Sequence, residues 1–551
     1  MQVEFFLLVL SLLFFVSIIA DKIGNKFGVP ALLLFLVVGM LFGAGGLGIV
    51  GDGSSSLDIG SAEAISTIAM CIILFSGGMD TKLSDIKSVL APGITLATMG
   101  VLITCVITGV IIYFIFGWIH AVASVGMSMA LLIAATMSST DSASVFSIMR
   151  THNIGLKHNL RPLLELESGA NDPMAYVLTT TLIGVVVAET SDISALAIAQ
   201  NIIVQLVMGS VLGLAFGEGL VLLFKHVRLA NEALYPIMVL TACIFIFAMT
   251  YYLKGNTYLA VYVGGIIIGN AKFTRKRQTK AFFNGLTWLS QLLMFLMLGL
   301  MVRPADFLRL EVWLPCLIIS IVMIFVSRPL SVWLCMWPFK KYLTRDKIMI
   351  SWVGLKGAVP IIFAILCQAN GVPNADIIFN MVFLCTIISL LVQGTTLTLV
   401  ADKLNLDTPP DEAKQLEHFD LDLPDEIQST AHELEVTDSM LASGNTLREM
   451  QIPPHTLIVM VRRDDDFFVP TGTSELQKGD QMLVITDQDA NEVYQQIINE
   501  AEEEAQWREG VRRSAKERLQ RLHQWAEERR AKAANRVKER KEEREQKEKN
   551  K

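Results

Sequence analysis

The chain has 551 residues, 52% of them hydrophobic and only 18% charged, with a formal net charge of −7 and a mean hydropathy of +0.49. These values exclude an ordinary soluble enzyme and describe a polytopic membrane protein with a soluble appendix. The charges are segregated: residues 1–400 hold long apolar runs and residues 401–551 hold almost none. All seven cysteines (71, 105, 243, 316, 335, 367 and 385) fall inside apolar runs. No C-x-x-C pair and no histidine at metal spacing accompany them, so they read as buried free thiols.

The N-terminus, MQVEFFLLVLSLLFFVSIIA, carries Glu4 and no positive n-region, and reads as a retained first span. Thirteen runs approach the length needed to cross the hydrocarbon core: 3–20, 30–46, 60–78, 90–116, 119–149, 162–188, 195–224, 233–252, 257–270, 285–302, 312–336, 348–368 and 377–400. Loop charges test that division. Most odd-numbered connections carry clusters such as Lys22 and Lys26, Lys82 and Lys87, Arg150 to Arg161, Lys225 and Arg228, Lys272 to Lys280 and Lys340 to Lys347. The even-numbered connections carry only Lys254, Arg303 and Arg309. The positive-inside rule then places the N-terminus outside and the C-terminus in the cytoplasm.

Two spans are interrupted. The fifth contains the polar cluster Met137-Ser-Ser-Thr140-Asp141-Ser-Ala-Ser144, and the twelfth contains Val353-Gly-Leu-Lys356-Gly-Ala-Val-Pro360. Such backbone is tolerated at membrane depth only where it lines a cavity or is buried in protein. The two spans are seven apart in order and so run in opposite directions. Paired broken helices in two inverted halves point to the midplane site of a secondary transporter. The expected fold class is therefore an all-α polytopic membrane protein of about 13 helices, with inverted repeats at spans 1–6 and 8–13 and crossed broken helices. A small cytosolic α+β domain and a charged tail follow.

The sixth span opens with Glu167-Ser168-Gly169-Ala170-Asn171-Asp172-Pro173. Carboxylates inside a span are costly and mark ion or proton paths. Glu167 and Asp172, five residues apart, project roughly 140° apart on a helix. Ser168, Asn171 and Asp172 share a face, offering hydroxyl, amide and carboxylate oxygens to a hard cation. Thr140 and Asp141 at the break of span 5 complete the expected site, with Asp172 binding a cation and a proton in competition. Lys356 is expected to form a buried ion pair with Glu167. Arg328, near a span end, is a secondary candidate that snorkels or supports the core.

After residue 400 the pattern changes. Residues 401–431 form an acidic linker, and 432–500 read as a small α+β module. Its expected strands are 432–436, 456–462, 467–470 and 481–485. A short helix is expected at 445–450, turns at 464–466 and 478–480, and a closing helix at 488–499. Residues 501–551 are charged and Ala-rich, a solvated helix or a partly disordered tail.

The motifs ESGANDP, TDSAS and GLKGAVP, in that order, resemble the NhaP branch of monovalent cation/proton antiporters over about residues 1–400. The resemblance implies a homodimer and an ion-carrying core that moves in elevator fashion. It implies that Asp172 is the ion- and proton-binding carboxylate, with Thr140, Asp141 and Ser168 at the other ion-site positions. Asn171 stands where electrogenic relatives carry a second Asp, which implies electroneutral exchange. Two positions depart from the family pattern: Lys356 replaces the usual Arg of GLRGAV, and Ser76 replaces an acid before Gly77-Gly78. The loss of that acid favours potassium over sodium. The 432–500 module resembles a TrkA-C (RCK C-terminal) domain through Leu447–Met450, Ile452-Pro453, Val469-Pro470 and Gly479-Asp480. Such domains dimerise, often bind small regulatory ligands and accompany potassium transport. No ligand is identified here, although a regulatory nucleotide is one candidate.

The expected activity is electroneutral exchange of cytoplasmic potassium for external protons across the inner membrane. A sodium/proton antiporter and an RCK-gated cation channel are the alternatives, and the channel lacks a TVGYG-like filter. The partners expected are the lipid bilayer, a second copy of the chain and a small regulatory ligand, with no nucleic acid. No cofactor fingerprint or nucleophile–base constellation supports an enzyme.

Overall fold

The computed structural model describes residues 3–27, 31–43, 46–48, 59–119, 125–141, 145, 149, 155–188, 195–408 except 228, 272, 274 and 303–309, and 431–549 except 443, 451, 464–465 and 487–489. Most of the acidic linker, Ser142 to Ser144 and part of the 464–466 turn therefore lie outside the described residues. Two compact units emerge, Met1–Pro409 and Pro410–Lys551.

The first unit is helical. Among the described residues, eight helices are long and apolar enough to cross a membrane: Ile59–Asp80, Leu90–Gly117, Leu160–Val187, Leu196–His226, Leu234–Tyr252, Lys276–Met301, Trp313–Cys335 and Ala375–Lys403. Five shorter apolar helices, Leu7–Ala20, Ala31–Phe42, Met127–Thr136, Thr257–Asn270 and Val359–Ala369, fall on the remaining predicted runs. The two interruptions are real breaks. The Met127–Thr136 helix stops at Met137, after about 15 Å, half the hydrocarbon thickness. The Thr344–Trp352 helix ends at Val353, and the Val359–Ala369 helix begins after Ala358.

Burial sorts the helices. The apolar window of Leu160–Val187 is 56% buried and that of Leu196–His226 only 22%, so the first lies inside the bundle and the second at its edge. Small residues let backbones approach. A Cβ on Gly78 would meet Tyr262 O at 2.5 Å, and one on Gly265 would meet Phe75 O at 2.5 Å, where the Ile59–Asp80 and Thr257–Asn270 helices cross. Three π-helical turns, Leu96–Gly100, Met323–Ser327 and Leu390–Gly394, interrupt longer helices with no warning in the sequence.

The second unit is an antiparallel four-stranded sheet in the order Ala431–Glu435, Gln481–Thr486, Thr456–Arg463, Asp466–Phe468. Its core holds Val436, Val461, Met482, Val484, Val493 and Ile497. Residues 445–450, expected as a helix, instead form turns. Thr446 bridges Glu475, and its hydroxyl donates to Glu449 at 2.8 Å, a local bond that competes with helix formation. The closing helix and the tail are one continuous helix, Ala490–Lys549.

Arg463 grips Asp480 in a bidentate pair, Nε to Oδ1 at 2.9 Å and Nη2 to Oδ2 at 2.7 Å, and Gln477 N–H donates to Oδ2 at 2.8 Å. Burial pushes the Asp480 carboxyl up, but the hydrogen bonds and charge of Arg463 and the Gln477 amide outweigh it and hold the group below its ordinary value. A lowered carboxyl stabilises the fold above its unfolded value, and that contribution is lost as pH falls through the folded one. Asp480→Asn should therefore destabilise the sheet by about 1–3 kcal/mol. Amide exchange in 481–486 of the full chain checks this, with the largest wild-type to variant difference near neutral pH and convergence in acid.

Candidate ion site

The site is built where the two breaks meet the Leu160–Val187 helix. The breaks are bonded to each other: Asp141 N–H donates to Leu355 O at 2.8 Å, and Lys356 Nζ donates to Ser139 O at 2.8 Å. Each break thus supplies a carbonyl to the other, which satisfies polar backbone that has no helical partner. Lys356 N–H donates to Ser389 Oγ at 3.0 Å, Ser389 Oγ to Gln393 Oε1 at 2.6 Å, and Gln393 Nε2 to Trp352 O at 2.9 Å. The final span therefore braces the second break through side chains.

The polar face predicted on the sixth span grips the first break. Ser168 Oγ donates to Thr140 O at 2.9 Å, and Asn171 Nδ2 donates to Thr140 Oγ1. Ser139 Oγ donates to Asp172 Oδ1. Among the described residues, no donor reaches Asp172 Oδ2, and the buried Asn171 Oδ1 has no hydrogen-bond partner. A buried acceptor without a donor calls for a cause, such as an ion or water. Asp172 is 7% exposed, so a charge there is largely out of contact with solvent.

Asp141, half-buried, lies against the second break. A Cβ on Gly357 would meet Asp141 Oδ2 at 2.2 Å and its Cβ at 2.7 Å, so only glycine fits there. Gly357→Ala should part the two breaks and reduce transport at least tenfold, the cost of misplacing a reacting geometry by about 1 Å being of that order or larger. Uptake assays against expression level check this.

The expected Glu167–Lys356 pair is not formed. Glu167 Oε1 is bonded by Arg328 Nη2, both side chains being buried, while Lys356 turns to Ser139. Lys356 serves the first break through the Ser139 carbonyl, and Arg328 serves Glu167. Arg328, a secondary candidate in the sequence, is thus buried and paired and does not snorkel. Its position at the end of the Met323–Ser327 π turn, before Pro329, is what sequence reading could not place. Ser139 was also missed as an individual residue, although it stood inside the polar cluster. Ser76 is buried in the Ile59–Asp80 helix, and among the described residues no hydrogen bond joins it to Asp172.

Comparison with known proteins identifies the family. The family described as sodium/hydrogen exchanger, transmembrane, matches residues 9–403, and the TrkA-C domain matches residues 431–498. The K(+)/H(+) antiporter NhaP2 of Shewanella sp. strain MR-4 is 35% identical over 91% of this chain and 84% of its own length. The K(+)/H(+) antiporter NhaP of Alkalimonas amylolytica is 37% identical over 87% of this chain and 80% of its own. The solved sodium proton antiporter MjNhaP1 of Methanocaldococcus jannaschii superposes with a TM-score of 0.61 at 21% identity, covering 72% of this chain and all of its own, a likeness of fold. The chain belongs to the sodium/hydrogen exchanger family and carries a TrkA-C domain.

Proposed function

We propose that the protein is an electroneutral antiporter that exchanges cytoplasmic potassium for external protons, with Asp172 as the group for which cation and proton compete. The observation that carries this reading is a buried carboxylate held by Ser139 at the meeting point of two broken helices, with one oxygen that no donor reaches among the described residues. A monovalent cation needs several oxygens and one negative charge nearby. Asp172 Oδ2, the unpartnered Asn171 Oδ1, Thr140, Ser168 and the half-buried Asp141 supply that set. Protonation of Asp172 removes the charge that holds the ion, so one group alternates between the two loads.

In this reading the eight long and five shorter apolar helices make thirteen spans. Spans 1–6 and 8–13 are inverted repeats, and the ion-carrying core moves as an elevator in a homodimer. The N-terminus faces outside and the C-terminus the cytoplasm. Residues 1–400 transport, 401–431 link, 432–500 regulate through a small ligand, and 501–551 form the tail. A small cavity lined by Thr104, Ser320, Arg328, Lys356, Ser389 and Gln393 lies behind the second break and offers water a place near Lys356. Relatives named K(+)/H(+) antiporters support potassium as the cation. Sodium is the second reading, favoured by the Na(+)/H(+) antiporter NhaH of Halobacillus aidingensis, 25% identical over 72% of this chain.

Competition has a direct test. Adding potassium chloride to lightly buffered, detergent-solubilised protein should release protons, approaching about one per cation bound where the carboxyl is protonated. The release should vanish in alkali, where no proton is left to displace, and potassium should bind more weakly as pH falls. Potassium binding with no proton release at any pH would refute competition at one carboxylate.

A further inference from the structure

The helix Ala490–Lys549 leaves its own domain after Ala501, the last of its residues to be buried. From residue 509 onward nearly every position is exposed. A solvated helix of this kind is polar all round, yet this one also carries an apolar stripe. Trp507, Val511, Leu519, Leu522, Trp525 and Val537 fall within a stripe about 120° wide, at 100° per residue. All six are at least 48% exposed. Between residues 507 and 537 stand ten basic residues and four glutamates. Glu509, Glu517, Glu527 and Glu528 all lie on the opposite face, whereas Arg508, Arg518, Arg529 and Arg536 lie within the apolar stripe and Arg512 and Arg530 border it. The Arg529 guanidinium sits 4.4 Å from the Trp525 ring centroid, inside that stripe.

The geometry points to a membrane-surface helix: residues 507–537 lie on anionic lipid headgroups, with the apolar and basic face down and the glutamates toward water. Apolar side chains with interleaved arginines and two tryptophans are the composition that an anionic interface takes up. The acids are sorted away from that face, which a merely soluble helix has no reason to do. A nucleic-acid backbone would leave the leucine and valine side chains without a partner. The same chain spans a bilayer, and tethering turns a weak affinity into a high local concentration. This reading is independent of which ion is carried.

The test is amide hydrogen exchange of residues 507–537 in the full-length protein. One sample is held in phosphatidylcholine nanodiscs and another in nanodiscs that include phosphatidylglycerol. Exchange should slow about tenfold or more in the anionic discs only. High salt should weaken that protection, and the triple variant L519E/L522E/W525E should abolish it. These positions are exposed and far in sequence from the ion site, so the variant should keep its fold and its basal exchange. Equal exchange in both lipids overturns the proposal. So does protection that persists in detergent and rises with protein concentration, which would assign the face to a second copy of the chain.

Discussion

Asp172→Asn protein, reconstituted in proteoliposomes, should show no cation-driven proton movement while keeping wild-type yield and elution volume. The amide keeps the size of the side chain and can still accept from Ser139 Oγ. It cannot carry the negative charge or the titratable proton. A monovalent cation brought to a buried site without that charge loses hydration and gains only dipoles and the half-buried Asp141 carboxylate. The expected effect is loss to background, because both substrates depend on one group. Retained coupled exchange in Asp172→Asn would remove Asp172 from the central role and shift attention to Asp141, the other carboxylate at the breaks.

The second large effect is on stability. Arg328 and Glu167 are 5% and 1% exposed, and each is the other's charged partner. Removing one member of a buried pair leaves the other charge uncompensated, at about 3–5 kcal/mol. Arg328→Met should therefore sharply lower thermal stability in detergent, and Glu167→Gln should do the same. The double variant should recover part of the loss, since no lone charge remains. Lys356→Ala should cost less, about 1–3 kcal/mol, because only the Ser139 carbonyl loses its donor. Its main effect should fall on transport through the loosened break. Melting in a scattering or fluorescence assay ranks the four variants. Equal melting of Arg328→Met and wild type would contradict a buried pair.

Much of this arrangement was legible in the sequence, and the reason is physical. In a span, each polar residue must find a partner or a cavity, so TDSAS, GLKGAVP and ESGANDP announced both breaks and the gripping helix. Helical spacing placed Ser168, Asn171 and Asp172 on one face, and the structure bonds the first two to Thr140 and the third to Ser139. The pairing of Glu167 was not legible. Sequence reading supplied two cations, Lys356 and Arg328, and the choice between them depends on how distant helices rotate against each other. The π turns were equally hidden, since Leu96–Gly100 and Leu390–Gly394 have ordinary apolar composition. In the second unit the four strands fell close to the runs read as strands in the sequence. The 445–450 segment did not follow its helical look, because Thr446 and Glu449 bond locally.

The most direct test of the account is proton exchange in proteoliposomes with an internal pH dye, the membrane potential clamped, and potassium and sodium added separately. The account predicts proton movement driven by a potassium gradient and unchanged by the potential. A response to sodium alone, a response that scales with the potential, or no proton movement with either ion would contradict it.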